Sequence, residues 1–155
     1  MIECGTLELK DLITKAKQEL ERYQDNRERI ILEHSLNLNH SLKTIADIRK
    51  LEDGWNGYGA KKIPADICDI AEEIVTHLSV QPSLFPTARR TIHAEYNFDN
   101  DNYLELEIFS DNVCATFVPS HDYNKAKFKD FNIDDYEGLN TLIKNVQEGR
   151  SDSGE

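Results

Sequence analysis

Cysteine is scarce. Only three occur, Cys4, Cys68 and Cys114, an odd number with no close pair, which excludes a zinc knuckle or a redox dithiol. Cys68 and Cys114 are expected as buried thiols and Cys4 as a partly exposed one. Long apolar runs are missing too. No run reaches the roughly eighteen residues that a membrane span needs, and Met1-Ile2-Glu3-Cys4-Gly5 lacks the basic-then-apolar pattern of a secretory leader, so a cytoplasmic protein is expected. Basic residues are outnumbered, 18 Lys and Arg against 29 Asp and Glu, giving a formal net charge of −11. Most of the excess falls after Gly54. Such a surface repels phosphate and lacks the basic stripe that drives counterion release, so no direct nucleic-acid partner is expected. It favours a basic protein partner, or serves solubility alone.

Signatures of catalysis are absent as well. No nucleophile elbow, phosphate-cradling glycine loop or zinc-helix pattern occurs, and the five histidines are scattered. The glycines around Trp55 follow a helix rather than a strand, unlike a dinucleotide fingerprint. Asp99-Asn100-Asp101-Asn102 lacks the later glycine and glutamate of a calcium loop and reads as a hairpin turn. No cofactor, no metal and no catalytic residue is assigned.

What is present is enough apolar residue, 39% of 155 positions, to bury a core without a staple. Leu9, Leu12, Ile13, Ala16, Leu20 and Tyr23 recur three and four apart and predict an amphipathic helix from Thr6, its N-cap, to about Tyr23. The stripe fades over 24–28 and returns at Ile30 and Ile31, so this helix either ends near Asn26 or continues to about Glu33. Turn formers fill Ser35 to His40, after which Leu42, Ile45, Ile48 and Leu51 mark a second helix stopped by Gly54. A central helix is expected from about Pro64 to Leu78 through Ile67, Ile70, Ala71 and Ile74. After Arg90 the period becomes two: strands around Ile92-Ala94-Tyr96, Leu104-Leu106-Ile108 and Val113-Ala115-Phe117 form a three-stranded antiparallel meander. Residues 119–132 read as a polar loop. Asp134 with Glu137 begins a C-terminal helix carrying Tyr136, Leu139, Leu142, Ile143 and Val146.

The predicted architecture is therefore α+β: an N-terminal helical region over 1–53, an α+β core over 54–149 with its sheet packed on the central helix, and a disordered tail over 150–155. Between the second helix and the central one, Gly54, Trp55, Gly57, Tyr58 and Gly59 form an ordered loop. The glycines supply positive φ, and Trp55 and Tyr58 are expected to pack it onto the central helix.

Matching apolar with apolar sets the register of the first hairpin, Ile92 to Ile108, Ala94 to Leu106 and Tyr96 to Leu104. On the other face that register puts Glu95 across from Glu105 and His93 across from Glu107, with Tyr103 nearby. Directly opposed like charges cost up to about 1 kcal/mol, so the face is solvated, docks a basic protein, or brings a cation to its carboxylates and imidazole. His93, Glu95, Tyr103, Glu105 and Glu107 are thus the protein-binding candidates. The expected function is a protein-binding module, regulatory, immunity-like or antitoxin-like, that neutralises a basic partner. A metal-assisted hydrolase on the same face is the alternative, and a homo-oligomeric structural subunit that self-associates through its N-terminal helices is the third.

The stretch Asp53-Gly54-Trp55-Asn56-Gly57-Tyr58-Gly59-Ala60, with Ile63-Pro64, a helix, a proline-bracketed link and the strand Ile92-His93-Ala94-Glu95, resembles a group of short bacterial proteins of unassigned activity that carry a D-G-W-x-G-Y-G-A motif. It spans about Leu51 to Phe117. Members carry Trp where Tyr96 stands here. The resemblance implies a bacterial or phage origin and no catalytic residues.

Overall fold

The computed structural model describes residues 2–150, with side chains from Glu8 onward. The side chains of Cys4 and Thr6, and the expected tail beyond Arg150, lie outside the described residues. The first correction to the sequence reading is at the N-terminus. A single helix, α1, runs Ile2–Arg49 through the turn-rich Ser35 to His40 and through the expected cap at Thr6. Asn and Ser cost a helix only about 0.5 kcal/mol each against Ala, and burial just beyond them is worth more. Ser41, Ile45 and Ile48 are buried, and Leu38 and Leu42 pack against the same cluster.

Two compact units result, dividing after Leu36, not at residue 53. The first is helix alone. Among the described side chains its large apolar residues, Leu9, Leu12, Ile13, Leu20, Tyr23, Ile30, Ile31, Leu32 and Leu36, are all exposed.

The second unit, from Asn37, is α+β. The end of α1 is followed by α2 (Ala65–His77), β1 (Ser83–Pro86), β2 (Ile92–Asn97), β3 (Tyr103–Ile108), β4 (Asn112–Val118), β5 (Lys127–Asn132) and α3 (Tyr136–Gln147). The sheet therefore has five antiparallel strands in chain order, two more than predicted. The first, β1, pairs Phe85 with His93, while β5, in the segment expected as loop, pairs Phe131 with Val113 and Phe128 with Thr116. Between β2 and β3 the register is the expected one, Ile92 to Ile108, Ala94 to Leu106 and Tyr96 to Leu104. Those inward residues form one buried cluster with Ile45 and Ile48 of α1, Ile67, Ala71, Ile74 and Val75 of α2, and Leu139, Leu142, Ile143 and Val146 of α3. Cys68 belongs to that core, but Cys114 is only half-buried, on the opposite face.

Chain reversals are fixed by side chains. Asp135, one residue beyond the expected cap, accepts from Gly138 N at the start of α3. At its end Asn100 and buried Asn102 donate to Val146 O, tying the helix to the β2–β3 turn. The Gly54 to Ala60 loop is closed the same way. Asn56 Oδ1 accepts from Tyr58 N and Ala60 N, Asp53 from Lys62 N, and Trp55 Nε1 donates to Lys61 O. Gly54, Gly57 and Gly59 all sit near φ +80°, and a Cβ on any of them would meet nothing within 4 Å, so backbone conformation alone calls for glycine there. Trp55 is half-buried, whereas Tyr58 is 92% exposed, against the expectation that the Tyr58 ring packs the loop onto the central helix. Among the described residues no helix is long and apolar enough to cross a membrane.

Candidate functional site

Alternation decides what the free face of the sheet carries. Because Ile92, Ala94, Leu104, Leu106, Ile108, Val113 and Ala115 point to the helices, their neighbours His93, Glu95, Tyr103, Glu105, Glu107, Cys114 and Thr116 point away. Antiparallel pairing sets them in rows: Phe85, His93, Glu107, Cys114 and Asp130 in one, and Ser83, Glu95, Glu105, Thr116 and Phe128 in the next. All five residues singled out from the sequence thus lie on one face, with Glu95 directly across from Glu105 and His93 from Glu107.

Their side chains make a connected network. His93 Nε2 lies 2.9 Å from Glu105 Oε1 and 3.5 Å from Glu107 Oε1. Arg89 Nη2 lies 3.2 Å from the same nitrogen, so the tautomer sets whether Nε2 donates to Glu105 or accepts from Arg89. The other Glu105 oxygen accepts from Tyr103 OH at 3.1 Å. Burial, then the charges of Glu105 and Glu95, push the Tyr103 phenol far above its ordinary range, so it remains a donor. Glu107 is only 14% exposed. Burial alone would raise its pKa. Hydrogen bonds from Thr91 and Arg89, with the electrostatic influence of His93 and of the Arg89 guanidinium, outweigh that and hold it below the ordinary carboxylate range.

Arg89 and Thr91 are what sequence reasoning missed. Arg89 grips Glu107 with both Nε (3.0 Å) and Nη2 (2.8 Å), a bidentate, charge-assisted geometry, and Thr91 Oγ1 donates to Glu107 Oε2 at 2.6 Å. They come from the β1–β2 turn, closed by Thr87 N to Thr91 O. No alternation or motif marks such a turn. By contrast Phe85 and Phe128, 47% and 72% exposed at opposite edges of the face, were within reach of period-two reasoning once β1 and β5 are recognised.

Glu95 makes no ion pair among the described residues. One ligand atom each from His93, Glu95 and Glu105 lies within 4.8 Å of the others, a spacing open to one divalent cation. Burial, then a hydrogen bond with Asp130 and the charges of Asp130, Glu107 and Glu105, raise the Cys114 thiol pKa, which lowers its thiolate fraction. No family model, no curated protein and no solved structure matches this chain.

Proposed function

We propose that the protein is a protein-binding module that docks a basic partner on the open face of its sheet. One observation carries this reading: the sheet face opposite the core shared with α2, α3 and Ile45 and Ile48 of α1 presents Glu95, Glu105, Glu107 and Asp130 around the guanidinium of Arg89, with exposed Phe85 and Phe128 at its edges. Carboxylates pinned by neighbours are preorganised for a cationic partner, and aromatic residues at the edges supply the apolar area that charges alone do not. A role that suits such a face is neutralising a small basic protein, regulatory, immunity-like or antitoxin-like. The resemblance of residues 51–117 to short bacterial proteins supports a bacterial setting.

An NMR titration with an arginine- and lysine-rich peptide tests the proposal. Shifts should gather on His93, Glu95, Tyr103 and Glu105, and the Glu95→Gln/Glu105→Gln variant should bind more slowly and with a flatter salt dependence, because such charges act mainly on association. Shifts confined to other surfaces, or unchanged binding by the variant, would refute it. The spacing of His93, Glu95 and Glu105 favours a second reading, a divalent-cation site serving hydrolysis. Under that reading Mn²⁺ or Zn²⁺ raises the thermal midpoint of the wild type and not of the double variant.

A further inference from the structure

The first unit is a helix whose large apolar residues, among the described side chains, are exposed. Leu9, Ile13, Ala16, Leu20, Tyr23, Arg27, Ile30 and His34 follow one another at strictly alternating intervals of four and three. This is the spacing of a coiled-coil seam, sustained for nearly four heptads. It covers about 38 Å of helix at 1.5 Å per residue. Its five large apolar members, Leu9, Ile13, Leu20, Tyr23 and Ile30, are between 48% and 65% exposed, and all eight are exposed. Helices of this kind owe most of their stability to packing of the apolar stripe rather than to intrinsic propensity. Something of matching shape must cover it.

We propose that the cover is a second copy of this chain, its helix running antiparallel, with Arg27 of each copy lying over Ala16 of the other. The seam reads as complementary to itself in reverse. Setting Leu20 against Tyr23 of the second copy brings Ile13 against Ile30, Ala16 against Arg27 and Leu9 against His34. Every layer then pairs a large residue with a small one or an apolar residue with a partner of matching bulk. The long Arg27 side chain finds room over a methyl group and carries its charge to the edge. Flanking positions agree: Lys17 falls beside Gln24, Glu19 beside Asn26, Lys10 beside Ile31 and Leu12 beside Glu33, so no like charges meet. A parallel pair fails on the same residues. It would stack Arg27 on Arg27 and Ala16 on Ala16, a repulsion in one layer and a void in another.

Charge substitutions at Ala16 test both the pairing and its direction, using sedimentation velocity on the full chain across micromolar concentrations. Wild type should sediment as a reversible dimer of twice 17.8 kDa. Ala16→Glu places a carboxylate beside Arg27 of the other copy in two symmetric layers and should tighten the dimer by up to about tenfold. Ala16→Lys puts two cations there and should loosen it by a similar factor. The two variants have nearly equal helix propensity, so their difference reports the contact across the pair. A monomer at every concentration overturns the proposal. So does weakening by both substitutions, which is the parallel outcome, or indifference to both, which places the interface elsewhere.

Discussion

Three side chains carry the most information at the scale of single residues. Trp55 and Tyr58 stand three apart in the same glycine-rich loop, yet only Trp55 is half-buried and hydrogen-bonded, to Lys61 O. Trp55→Ala should therefore cost about 2 kcal/mol, less than a fully buried aromatic, whereas Tyr58→Ala should change stability by less than about 0.5 kcal/mol. Urea unfolding of both variants checks the contrast, and equal losses would mean that both rings pack. Glu107 gives a pH signature. Its pKa in the folded protein lies below its unfolded value, so the stability it contributes is present above the ordinary carboxylate pKa, about 4.3, and is lost as pH falls through the lower folded value. Urea midpoints measured across the acid range should fall less steeply for Glu107→Gln than for wild type. A parallel decline of the two curves would show that the grip of Arg89 and Thr91 contributes nothing to folding.

Elements fared unequally when read from sequence, and the reasons are physical. Strands β2, β3 and β4 were legible because each is half covered, and a half-covered strand alternates. The edge strands lack that signature. Only four residues long, β1 stands between Pro82 and the terminal Pro86, and β5 carries Lys127 and Lys129 at positions paired with inward Phe117 and Ala115. Charged residues on an edge also discourage pairing with foreign strands, so the feature that hides β5 from a hydrophobic pattern protects it in solution. The five outward site residues followed from the β2–β3 register; Arg89 and Thr91 did not, because a turn places them. The continuity of α1 through Ser35 to His40 was concealed by weak local preferences that burial of Ile45 and Ile48 overrides. Since Asn37 and Asn39 are exposed there, Asn37→Ala/Asn39→Ala should raise stability by about 1 kcal/mol, read as a higher thermal midpoint. A drop would mean that these side chains cap a break.

For the whole molecule the order of the strands has a consequence in time. Each strand pairs only with its neighbours in the chain, so every ladder closes a short loop and little entropy is lost before a contact is gained. The sheet can assemble hairpin by hairpin as the chain leaves the ribosome, with α1 and α2 already made. Its apolar face is not sealed, however, until α3 arrives and is fastened to the β2–β3 turn by Asn100 and Asn102. A nascent or truncated chain ending before Tyr136 would present that half-covered face to whatever is nearby. The arrival of Tyr136–Gln147 thus decides when the sheet stops offering the kind of exposed apolar surface that invites aggregation.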